Sequence, residues 1–258
     1  FGLSIFIFKK KDNLFFLFIL IFILSETLIF LSGDRAPFFY INLSAIFVIL
    51  FSQKLLKLRL MTLLSSILLI VIISIINPTA KERVFDRTLN QMNLFNYDEK
   101  EKEKEKEKEQ EQTYIFSKAH HEIYISAYKM FLDNKVLGVG VKNFRNICSY
   151  PKYYVNGKKT CTTHPHNSYL QILTETGIIG FLFLIFVLFY FCRYVFKHLM
   201  LRFKDKYYFT DFEICILSGI AIYLWPIVPT GNVFSNWLNI AMILNFPFLI
   251  WSRKLIKT

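Results

Sequence analysis

Charge is scarce in this chain: Asp, Glu, Lys and Arg supply 19% of its 258 residues, against 54% hydrophobic and 18% aromatic, with mean hydropathy +0.38. So much apolar and aromatic weight beside so little charge is too greasy for an ordinary soluble domain. No apolar N-terminal run ends in a small-residue cleavage site, so nothing here reads as a removable signal peptide. The net charge of +12 is sorted by loop rather than gathered on one face, so nucleic-acid binding is excluded as its meaning. No inverted repeat is visible, which weighs against a transporter. No initiator Met is present at the start, Phe1, and the expectation is a piece of a longer protein.

What the chain does have is long apolar runs, and roughly 20 such residues cross a bilayer. Six stand out, Leu14 to Leu31, Ala36 to Ser52, Leu60 to Ile76, Ser168 to Val195, Ile214 to Val228 and Trp237 to Trp251. The expected fold is therefore an all-α polytopic membrane helix bundle. Three spans lie in 1–76, a large periplasmic loop in 77–166 and three further spans in 167–258. Lys and Arg concentrate in short cytoplasmic loops. Fourteen of them, at positions 9–11, 54, 57, 59, 193, 197, 202, 204, 206, 253, 254 and 257, fall on one side and mark the cytoplasm. The opposite side has Arg35 in one short loop, no charge in Thr230 to Asn236, and a long loop with sixteen basic and twelve acidic residues. Loops of that length largely escape the charge rule.

Within the long loop, 98–112 (DEKEKEKEKEKEQEQ) alternates sign and reads as a solvated spacer. Ser117 to Leu132 reads as an amphipathic helix with Ile123, Ala127, Met130 and Phe131 on one face, expected to lie along the outer membrane surface. Asp133 and Asn134 close it, and Gly138 and Gly140 make a turn. Cys148 and Cys161, thirteen residues apart, are disulfide candidates in an oxidising compartment, a closure worth about 3 kcal/mol. Cys192 and Cys215 read as core filling.

The run with chemistry in it is Thr163 to Gly180, THPHNSYLQILTETGIIG. Pro165 keeps His164 extended, and Asn167 or Ser168 can cap the helix that follows. Asn167, Gln171 and Glu175, four apart, form a polar stripe that cannot face lipid. Glu175 stands about 12 Å along the helix from Asn167, within bilayer depth, where an ionisable group marks a functional or packed polar interior. The helix start, with His166 beside it, favours an anion. In Leu31 to Phe38 (LSGDRAPF), Gly33 makes a turn and Arg35 offers a planar charged fork suited to phosphate, or else pairs with Asp34 at the interface. Glu26, inside the first span, either orients a partner or pairs with one.

These residues resemble a family. HPHNSYLQILTETGIIG, LSGDRAPF and the segment from Tyr124 to Phe144 with LGVGVKNF occur in the order found in the O-antigen ligase and O-antigen polymerase family of bacterial membrane glycosyltransferases, here as a C-terminal half. The resemblance implies transfer of a glycan from undecaprenyl diphosphate to an acceptor glycan or lipid A core sugar, without metal or other cofactor. Transfer would take place at the periplasmic face of the inner membrane. It implies His166 as the histidine beside the diphosphate and candidate base, with His164 next in rank and Glu175 as a third catalytic candidate. Arg35 would bind the diphosphate, with Asn167 and Gln171 near the substrate. The family commonly carries a second arginine just before the loop helix, where this chain reads Lys118, Ala119, His120, His121. Either one of these histidines substitutes, or Arg83, Arg87 or Arg145 reaches in.

Three other readings compete. Zinc would need three or four convergent ligands, and His164 and His166 have no well-spaced third in sequence. A lipid-linked glycan transporter could use the same residues, and the two prolines of Leu224 to Gly231 would suit its broken helices. A plain membrane anchor would use the polar residues only for packing.

Overall fold

The computed structural model describes residues 13–92, 114 and 116–255. Lys9, Lys10, Lys11, Lys257 and the spacer at 98–112 lie outside the described residues. Among those described, regular structure is helical, with an isolated bridge between Val155 and Lys158. The principal helices are α1 (Asn13–Ser32), α2 (Arg35–Phe51), α3 (Leu56–Ile76), α4 (Lys118–Asp133), α5 (Ser168–Arg202), α6 (Asp211–Tyr223), α7 (Asn236–Ile243) and α8 (Asn245–Leu255). Helices α3 and α5 are long and apolar enough to cross a membrane; α2 and the Phe16–Ser32 part of α1 are shorter apolar helices.

The last two expected spans differ from the hydropathy reading. Helix α6 stops at Tyr223, short of Val228, because Pro226 can donate no N–H and disfavours helix in the residue before it. The run from Trp237 to Trp251 is two helices. The Asn245 side chain takes the carbonyls of Ala241 (3.2 Å) and Met242 (3.1 Å) at the end of α7. Pro247 falls in the first turn of α8, a position where a missing N–H costs nothing.

The chain forms two compact units. In the first (residues 13–77, 184–226 and 235–255 of those described), α6 packs on α2 and α8, and α1 on α2 and α3. Ile214, Leu217, Ile220 and Leu224 fill its core with Phe47, Phe51 and Phe191. Buried Glu26 of α1 accepts the Ser66 hydroxyl of α3, so it pairs across two apolar helices. Asp211 accepts the backbone N–H of Gln53 (2.7 Å) and of Lys54 (3.0 Å) and pairs with Arg59 (3.3 Å). His198, fully buried, donates from Nε2 to the Phe51 carbonyl (2.9 Å) and accepts the Phe209 N–H at Nδ1 (3.0 Å). Cys192 is exposed on its helix rather than filling a core, and Cys215 is partly buried.

The second unit comprises 78–92, 114–183 and 227–234 of the described residues. Helix α4 starts at Ser117, whose side chain accepts the His120 N–H. Its apolar face, Ile123, Ala127 and Met130, does not lie free for a membrane surface. It is buried against Phe144, Cys148 and Tyr153, with Leu170 of α5 alongside. Burial in a protein core and burial in lipid leave the same 3.6-residue pattern, so periodicity could not separate them.

Helix α5 breaks at Gly177 (φ 67°, ψ −163°). The loop at 135–143 fills the break: Val139 N–H donates to the Thr174 carbonyl (2.9 Å), Gly140 N–H to Glu175 (3.0 Å) and Ile178 N–H to Lys135 (2.8 Å). A Cβ at Gly177 would stand 2.2 Å from the Val136 carbonyl oxygen, and one at Gly138 2.5 Å from the Glu175 carbonyl carbon. Both positions need glycine, for the positive φ and for the close backbone approach.

Candidate active site

The site is assembled where the Thr163 to Asn167 segment turns into α5. His166 adopts φ 57°, the left-handed region that costs a non-glycine residue about 1 kcal/mol or more. Its carbonyl accepts the Thr230 N–H (2.8 Å) from the loop at 227–234, which holds the turn. The next residue, Asn167, caps α5 by accepting the Leu170 N–H at Oδ1 (3.0 Å).

Three imidazoles converge here. The His164 and His166 ring centroids are 4.1 Å apart, and His120 of α4 lies 5.7 Å from His166, edge on. Their hydrogen bonds differ. His164 Nε2 donates to the Thr230 carbonyl (3.2 Å), and Nδ1 accepts from the Thr163 hydroxyl (2.9 Å), so both nitrogens are engaged. The Ser117 oxygen accepts the His120 N–H and turns its own hydrogen to His120 Nδ1 (2.8 Å). The ring nitrogens of His166 make no hydrogen bond among the described residues. Their lone pair and proton are left for a ligand.

Burial pushes the pKa of His166 below the usual imidazole value, and a charge on His164 lowers it further. His164 is likewise lowered, chiefly by burial; the Thr230 bond opposes this and the Arg145 guanidinium adds to it. Desolvation disfavours the charged form, so near pH 7 His166 is a neutral imidazole able to accept a proton. Arg145, exposed on the short helix Phe144–Ile147, sets an always-charged group near enough to act on His164.

The polar stripe faces loops rather than lipid. Gln171 donates to the Asn232 side chain (2.8 Å) and to Glu175 (3.2 Å), and accepts the Val233 N–H (3.0 Å). Glu175 accepts the backbone N–H of Lys142 (2.9 Å) and of Phe144 (3.1 Å). Both residues are buried and committed, so the stripe ties the loops at 138–144 and 230–234 to one helix. Cys148 and Cys161 are joined, with Cα atoms 5.1 Å apart, closing the loop before the histidine segment. His121 packs against Tyr114 (5.5 Å), away from the trio. Arg83 lies in the helical segment Glu82–Asp86, and Arg87 begins the one that follows. Arg35, partly buried, is the first residue of α2 in the other unit. Among the described residues no group of three or more His, Cys, Asp or Glu is placed to hold a metal ion.

Sequence reasoning missed Ser117, Thr230 and Asn232. Their signal was faint: hydroxyl and amide residues in short polar stretches beside helix starts. Uncommitted imidazole, fixed cation and helix start together suit proton transfer beside an anionic leaving group.

The family model described as O-antigen ligase matches residues 16–185, well over half of the chain, covering Arg35, Gly138, Gly177 and the three clustered histidines. No curated protein and no solved structure matches the chain. On the strength of that match the chain belongs to the O-antigen ligase family, whose members are membrane proteins of the glycosyltransferase type.

Proposed function

We propose that this chain moves a glycan from undecaprenyl diphosphate to an acceptor sugar hydroxyl at the periplasmic face of the bacterial inner membrane. The observation that carries the reading is the uncommitted His166 imidazole, held in a left-handed turn while both ring nitrogens of His164 and Nδ1 of His120 are bonded. The acceptor oxygen attacks the anomeric carbon of the donor. The bond from that carbon to the phosphate oxygen breaks, the diphosphate leaves on its polyprenyl chain, and the acceptor proton passes to His166.

Charge grows on the leaving diphosphate as that bond breaks, so fixed cations stabilise the transition state more than the ground state. Arg145 is assigned to it, and His120 takes the place of the family's second arginine. His164 braces His166. Glu175, Gln171 and Asn167 position loops and helix start rather than reacting, since their polar atoms are used inside the fold. The topology assigned is six membrane crossings with both ends cytoplasmic, supported by the sorting of Lys and Arg.

The test is product formation: purified protein, lipid-linked glycan and acceptor, with His166→Ala as the control. A new glycosidic bond in the wild type alone supports the reading, and none in the wild type overturns it. Ligase and polymerase forms differ in the acceptor. Gene deletion leaving long polymer on the carrier and uncapped core identifies the ligase; single repeat units on core identify the polymerase.

A further inference from the structure

The loop that fills the α5 break has an outer side of its own. Val136, Leu137 and Val141 are 59%, 73% and 55% exposed, three bare aliphatic side chains within six positions. Lys135 and Lys142, both exposed, bracket them. The apolar surface continues onto α5 itself, where Ile178, Ile179, Leu182 and Phe183 are exposed in the same unit. The loop cannot lift away easily, because Gly138 and Gly177 meet backbone to backbone and three interstrand-like hydrogen bonds pin it.

We propose that 135–142 is a bilayer-docking loop, its aliphatic side chains seated among lipid acyl chains and its two lysines at the anionic headgroups. Two arguments select lipid as the occupant. Lysines flanking an apolar tip match phosphate headgroups in sign and reach, with stems lying along the hydrocarbon edge. The length of α5 agrees. Counting back from Lys197, about 20 residues at about 1.5 Å each span the hydrocarbon and arrive at Gly177. The outer boundary of the bilayer then falls at the break, and Glu175 belongs to the interface rather than to bilayer depth. Helix α4, whose apolar face is already buried in protein, leaves the membrane contact to this loop.

The proposal rests on the family's membrane setting and not on the transfer chemistry. It is tested in nanodiscs of phosphatidylcholine and phosphatidylglycerol with acyl chains brominated near the headgroup. The added fluorescence of Leu137→Trp over wild type is measured, with Tyr150→Trp on the disulfide-closed loop as the aqueous reference. Brominated lipid should remove most of the Leu137→Trp signal and iodide little of it; Tyr150→Trp should show the reverse. Val141→Trp repeats the measurement should Leu137→Trp not fold. Quenching by iodide, or by neither agent because another protein surface covers the loop, overturns the proposal. Transfer activity measured on the same discs keeps its failure separate from that of the glycosyltransferase reading.

Discussion

Glu175 holds Phe144 by its backbone, Oε1 accepting the Phe144 N–H at 3.1 Å across 31 positions of sequence. Phe144 starts the short helix that bears Arg145, so a carboxylate on α5 sets the place of the guanidinium beside His164. Replacing Glu175 with Gln leaves one acceptor oxygen where two N–H donors converge, and the amide NH2 then opposes the other. An expected loss of about 1–3 kcal/mol in stability should appear as a lower melting temperature. The pH profile of the remaining transfer activity should keep its shape, which a proton-transferring carboxylate would not allow.

Substituting His166 with Ala removes the base. Transfer should fall by about 10²- to 10⁴-fold, while the protein still inserts and the Cys148–Cys161 bond still forms on a non-reducing gel. His164→Ala should cost less and act through the orientation of His166. Equal losses in the two would assign the proton to the wrong imidazole.

The pH dependence follows from the depressed histidines. His166 must be neutral to accept a proton, and burial lowers its pKa, so transfer should rise with pH along a limb centred below the usual value of about 6.5 and be flat near pH 7. Stability moves in the same direction. A group whose folded pKa is lowered binds fewer protons than the unfolded chain, so its contribution is complete above about 6.5 and is lost as pH falls through the lowered value. Thermal melts between mildly acidic and neutral pH, compared with His164→Gln, check the second point.

Gly177→Ala should be among the most damaging small substitutions, since its Cβ would press on the Val136 carbonyl at 2.2 Å and the backbone has positive φ. The expected result is poor accumulation of folded protein rather than a folded, inactive one. Gly157→Ala, with nothing within 4 Å of its Cβ, carries only the backbone strain and should be much milder.

Much of this was legible beforehand. The Asn167, Gln171 and Glu175 stripe was readable because identical spacing on one helix needs no tertiary knowledge. Its partners were not, since Lys142 and Phe144 come from more than thirty positions upstream and Asn232 from 61 downstream. Hydropathy located α1, α2 and α3 to within a few residues but merged α7 with α8, because a window average does not register one side-chain amide ending a helix at Asn245. His120 could be placed near the site only as one of several options. Sequence could not tell which of two adjacent histidines would turn inward, and the structure sends His120 to His166 and His121 to Tyr114.

Thr230 gives both its N–H and its carbonyl to the histidine segment. A nascent chain still ending near Leu224 would already contain His120, His164 and His166, yet not the residue that ties the last two to the loop at 227–234. Only with the following handful of amino acids from the ribosome can the two Thr230 bonds to the His164–His166 segment form. In order of synthesis these ties are therefore among the last contacts the histidine segment gains.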